Sequence, residues 1–244
     1  MDSSTITYVL LTFFVAAFLK GITGLGFSTI CLPILSILID LKIAIPLVIV
    51  PSLSSNILVM IQAGRFQEAL QRFWPLYISA IPGLILGVSV LSSVKSSWSR
   101  AVLGAILFVF ALWSWRTQAL ALSKATERWW SGPVGLITGV VNGITGSQVM
   151  PVLPFLLALQ LHKDLFVQAI NLSFTLSSLV MLVLLSRVGL LSWSTLSLAA
   201  AGILPVALGI FLGGKWRQRL PDEAFRKVVL VFLLVLGLSL MIRV

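Results

Sequence analysis

Between Ile6 and Ile39 the chain carries a single charge, Lys20. A straight helix over that run would be about 51 Å long, and the hydrocarbon core of a bilayer is about 30 Å thick. The run must therefore tilt steeply or break. Gly21-Ile22-Thr23-Gly24-Leu25-Gly26 lies in its middle, with Pro33 beyond. Glycine costs about 1 kcal/mol relative to alanine inside a helix, so a break is expected here. The simplest form is a hairpin that enters, turns at Gly21–Gly26 and leaves on the same side.

The same word returns as Gly143-Ile144-Thr145-Gly146, inside a second overlong region, Ser131 to Leu161, and prolines follow again at Pro151 and Pro154. Other landmarks repeat in the same order. Ser52-Leu53-Ser54-Ser55 matches Thr175-Leu176-Ser177-Ser178, Pro82 matches Pro205, and Gly87 matches Gly209, all at a shift of 122 or 123. Pro33 matches Pro154 at 121. An internal duplication is expected, with repeat one over about 6–116 and repeat two over about 131–243. The remaining apolar runs are Ile43–Gln62, Phe73–Leu91, Ala101–Trp115, Leu165–Leu185, Trp193–Gly213 and Val228–Ile242.

Only 10% of the 244 residues are charged and 59% are hydrophobic, against about 25% charged in a soluble domain. The fold class is therefore all-α, a polytopic integral membrane protein, with 1–244 as one transmembrane domain. The net charge of +10 does not imply nucleic acid, because the basic residues sit between apolar runs, where the positive-inside rule puts them. One cysteine, Cys31, and one histidine, His162, exclude a disulfide framework and a Cys/His metal cluster. The N-terminus lacks the basic region of a cleaved signal, so the first run is expected to stay. Tryptophans near the run ends, such as Trp74, Trp98, Trp129, Trp193 and Trp216, fit interfacial belts.

Basic residues separate the two topologies. If all eight runs cross, the two sides hold nine and seven. If the first and fifth regions are re-entrant hairpins, one side holds eleven and the other five, namely Lys42, Lys95, Arg100, Arg187 and Arg243. The hairpin topology obeys the positive-inside rule better. Each repeat then has one broken or re-entrant hairpin plus three transmembrane helices. Three crossings make the repeats inverted, with both termini outside the cytoplasm.

No acid lies deep in an apolar run, so no carboxylate relay or site for a cationic substrate is expected. No catalytic constellation, metal site or cofactor site is found, and the chain is not expected to be an enzyme. Lys20 has two readings: a snorkelling or helix-end lysine, or a positive charge beside an anion site. The glycine clusters also have two: close helix packing, as the Gly139/Gly143 spacing allows, or binding turns. Half-helix starts expose N–H groups that attract anions. The candidate substrate-binding residues are Lys20, Gly21, Thr23, Gly24, Gly26 and Ser28 in the first turn. Asn142, Gly143, Thr145, Gly146, Ser147 and Gln148 form the second, and Ser55, Asn56 and Ser178 a flanking layer.

Gly21-x-x-Gly24-x-Gly26-Phe27 followed by Leu32-Pro33, the matching Gly143-x-x-Gly146 with Pro151 and Pro154, and the duplicated layout resemble the sulfite exporter TauE/SafE family, also called the toluene sulfonate uptake permease family. The resemblance spans nearly the whole chain. Ser147-Gln148 stands where the first repeat has Leu25-Gly26. The resemblance implies a secondary transporter, an exporter by expectation, of sulfite, organosulfonates or related sulfur anions in the bacterial inner membrane. An anion channel is the alternative. The expected partners are the small anionic substrate and membrane lipid, with a homodimer as the candidate assembly and no nucleic acid.

Overall fold

The computed structural model describes residues 2–23, 26–116 and 122–217, and further along Val231, Leu234, Gly237, Leu238, Leu240, Met241 and Ile242. Among the described residues all regular structure is helical. Among the described residues six helices are long and apolar enough to cross a membrane.

The first apolar run divides into α1 (Ser3–Thr23) and α2 (Phe27–Leu35). Gly26 precedes α2 with φ +89°, a left-handed conformation that glycine adopts without a Cβ penalty. The chain then folds back. Tyr8 Oη, near the start of α1, donates to the Ile34 carbonyl, near the end of α2, at 2.6 Å. Between them the Phe13 and Phe27 rings lie 6.1 Å apart. The arms are unequal. α1 is about 31 Å long, a full span, and α2 only about 13 Å.

A second fold-back joins α6 (Lys124–Thr145) to α7 (Val152–Ala158). The Leu122 N–H, just before α6, donates to the Ala158 carbonyl at the end of α7 at 2.8 Å. α6 starts seven residues ahead of the apolar run expected from Ser131. Ser123 caps it by accepting from the Thr126 N–H at 3.2 Å. Glu127 in this extra turn makes a two-pronged ion pair with Arg72, at 2.7 and 2.8 Å. The polar turn is stabilised by capping and pairing, signals that hydropathy alone does not carry.

The other helices are α3 (Leu41–Ala63), α4 (Phe66–Ser93), α5 (Ser96–Arg116), α8 (Lys163–Arg187), α9 (Trp193–Ala201) and α10 (Ile203–Arg217). The run Trp193–Gly213 is thus two helices meeting at Gly202. Pro205 has no N–H to close on Ala201, but it fits the first turn of a new helix. Val228–Ile242 lies largely outside the described residues.

Polar contacts sort the helix ends into two groups. At one end Asp40 caps α3, accepting from the Lys42 N–H at 2.8 Å and from Ser96 Oγ at 2.7 Å. This end gathers the start of α3, the end of α4 and the start of α5. The Arg72–Glu127 pair and the Leu122–Ala158 bond lie at the other, where α4 and α6 begin and α7 ends. α3 and α8 therefore start from opposite ends and run antiparallel.

Glycines set the closest helix packing. A Cβ added at Gly143 of α6 would lie 2.7 Å from Gly87 Cα of α4. One added at Gly21 of α1 would lie 2.6 Å from the Ile210 carbonyl and 3.0 Å from Gly213 Cα of α10. Each long hairpin arm thus beds its backbone against a helix of the other half of the chain.

Candidate functional site

Lys20 lies in the last turn of α1 and is 1% exposed. A lysine this deep does not snorkel. Its Nζ donates to Ser55 Oγ at 3.0 Å and to Asn56 Oδ1, both on α3. Among the described residues it has no carboxylate partner. Moving an ammonium group out of water is costly unless it is paired. Here two neutral oxygens and the negative end of the α1 dipole take the place of a counter-ion. Asn56 Nδ2 is buried with no partner, so a second donor stands beside the cation. Lysine plus a free amide N–H is a constellation suited to an anion.

The second turn is built differently. α6 ends at Gly146, whose φ is +72° and whose N–H closes on the Asn142 carbonyl at 2.7 Å. A Cβ there would sit 2.7 Å from Leu32 Cδ1 and 3.0 Å from Ile45 Cγ1. The strand of chain past it carries Ser147, whose N–H donates to Thr145 Oγ1 at 3.1 Å. Thr145 Oγ1 itself donates to the Val141 carbonyl at 2.7 Å. Gln148 Nε2 donates to Ser178 Oγ on α8 at 3.0 Å. Both amide atoms of Asn142, Oε1 of Gln148 and Oγ of Ser147 are buried without a partner. Each such atom costs about 1–3 kcal/mol if nothing satisfies it, so this turn has polar atoms free to receive a guest.

A cleft joins the two turns. Its walls include Ser28, Ser52, Asn142, Gly146, Gln148 and Ser178, with Leu32, Ile45, Val48, Ile49 and Met181 closing the apolar side. Ser28 Oγ donates to Ser52 Oγ across it at 3.2 Å. Its free volume is about 10 Å³, about the room for one water or one small ion. An anion of several heavy atoms does not fit this space as it stands.

A family model for the sulfite exporter TauE/SafE matches residues 9–240. The chain belongs to the TauE/SafE family. Membership makes it a membrane transporter of the sulfite-exporter type rather than an enzyme. No curated protein and no solved structure matches the chain.

In this TauE/SafE chain the expected site residues fall into three groups. Lys20, Ser55 and Asn56 touch one another; Ser28, Asn142, Gly146, Gln148 and Ser178 share the cleft, and Thr145 and Ser147, on either side of Gly146 in the chain, are buried. Gly21 and Gly143 instead face neighbouring helix backbones, and Gly26 shapes the turn into α2. Thr23 closes α1, and Gly24 lies outside the described residues. Ser52 was not among the expected residues, yet it lines the cleft and bonds Ser28. Its match to Thr175 in the second half was the available signal.

Proposed function

We propose that the protein is a secondary transporter that exports sulfite or a small organosulfonate across the bacterial inner membrane. The observation that carries this is Lys20, a buried cation that among the described residues is held by neutral groups, at the tip of a hairpin and next to an unpaired amide N–H. A sulfur oxyanion supplies the missing negative charge and several acceptor oxygens. The two halves act as inverted repeats, and parting of the hairpins exposes the site alternately to each side. The antiparallel course of α3 and α8 and the eleven-to-five spread of basic residues support this topology, with both termini outside the cytoplasm. The closed cleft supports a transporter cycle over an open pore.

The test is flux of labelled sulfite, taurine-like sulfonates and sulfate in proteoliposomes. Saturable transport of sulfite or a sulfonate, lost in Lys20→Gln, is expected. Steady ionic conductance would favour the channel, and transport of none of these anions would reject the substrate class.

A further inference from the structure

The two long hairpin arms end alike but are not charged alike. α1 has Lys20 in its last turn, and α6 has no basic residue there. At the shift of 122 that relates the halves, Lys20 corresponds to Asn142, and at 123 Ser55 corresponds to Ser178. In the first half the ammonium of Lys20 bonds Ser55. In the second half Asn142 and Ser178 instead line the 10 Å³ cleft. The space beside Ser178, whose Oγ accepts from Gln148 Nε2 at 3.0 Å, is thus the counterpart of the position that a tethered cation fills beside Ser55.

The chemistry of this space suits a free cation. Asn142 Oδ1 and Gln148 Oε1 are buried acceptors with no partner. Ser28, Ser52 and Ser178 line the same space. It lies at the C-terminal end of α6, where the helix dipole is negative. Unwound backbone and half-helix C-termini are the usual sodium ligands in transporters of broken-helix design. Among the described residues no carboxylate is in the lining, so a divalent ion would leave its charge uncompensated; calcium sites draw on Asp and Glu.

We propose that the second hairpin binds one monovalent cation of sodium size between Asn142, Gln148 and Ser178, with Ser28 and Ser52 closing the shell from the first half. Lys20 is its covalent counterpart. Because the shell takes oxygens from α2, α3, α6 and α8, the cation fastens the two hairpins together around the closed cleft. By linkage, cation and anion change each other's affinity by the same factor.

The test needs neither a known anion nor transport. Purified protein is titrated with NaCl, KCl and choline chloride at constant chloride, reading Tm from tryptophan emission, and binding of radiolabelled Na⁺ is measured in parallel. Saturable binding of one Na⁺ per chain is expected, with a Tm several degrees higher in NaCl than in choline chloride. Ser178→Ala should weaken Na⁺ binding at least tenfold. Asn142→Lys should abolish it and raise the Tm in choline chloride towards the wild-type value in NaCl, since the cation is then attached. If Asn142→Lys fails to fold, Ser178→Ala decides. Equal Tm in all three salts with no Na⁺ binding would overturn the proposal, as would Na⁺ binding unchanged in Ser178→Ala. Sulfite flux without Na⁺ binding would reject this site and keep the proposed substrate. Na⁺ binding without flux of any sulfur anion would do the reverse.

Discussion

Lys20 Nζ lies 3.0 Å from Ser55 Oγ, which joins the last turn of α1 to a point about 21 Å along α3. The Ser55 hydroxyl in turn donates to the Ser52 carbonyl at 2.7 Å, so its oxygen is turned towards the lysine. The contact fixes where a positive charge can sit when the hairpin is closed.

Lys20→Gln keeps a donor at a similar length but removes the charge. Sulfite flux should fall by more than tenfold with membrane abundance kept. Ser55→Ala removes one hydrogen bond to a charged group, worth about 1.5–3 kcal/mol, and flux at low substrate should fall about tenfold. Comparing initial rates in proteoliposomes checks both. Undiminished flux in Lys20→Gln would return the lysine to a structural role.

Gly146 and Gly189 both have positive φ, but only Gly146 is enclosed by Leu32 and Ile45. Gly189→Ala should cost only the left-handed backbone penalty, about 1–2 kcal/mol. Gly146→Ala adds overpacking of about 1–3 kcal/mol and should lower Tm further and block transport. Thermal unfolding of the two variants beside the wild type provides the comparison; equal Tm losses would contradict the packing shown at Gly146.

Cys31 is fully buried on α2, in the closed core. A membrane-impermeant maleimide should leave it unmodified in resting vesicles and react only during turnover, when the hairpins part. Rapid labelling of the resting protein from either side would show that α2 lines a standing aqueous vestibule.

Topology gives a fourth expectation. A C-terminal reporter that is active only outside the cytoplasm should report activity, and one active only inside should be silent. The opposite result would remove the inverted topology built on the eleven-to-five charge count.

Length against bilayer thickness and the clustered glycines made the two breaks legible, because both limits are geometric. The charge count favoured hairpins, and the Tyr8–Ile34 and Leu122–Ala158 bonds display the fold-backs. The early start of α6 was hidden, since Glu127 reads as loop until Arg72 arrives from 55 residues away. The partition of the glycines was hidden too. Gly21 and Gly146 occur in the same repeated word, yet one meets a helix backbone and the other borders the cleft. Spacing records neither the direction a residue faces nor what stands opposite. Lys20 was conspicuous as a charge in an apolar run, but its partners on α3 lie 35 and 36 positions on, and only the third dimension brings them together.

The backbone contacts of Gly143 on Gly87 and of Gly21 on Gly213 have a mechanical consequence. Main chain laid against main chain leaves little compliant layer of side chains between the helices, which favours each pair moving as one piece. The boundary in the chain, near residue 120, is therefore not the sliding seam in space. The packed pairs are chimaeras, the arm of one half lying against a helix of the other, so a rocking of rigid pairs would run between mixed units rather than between the two halves.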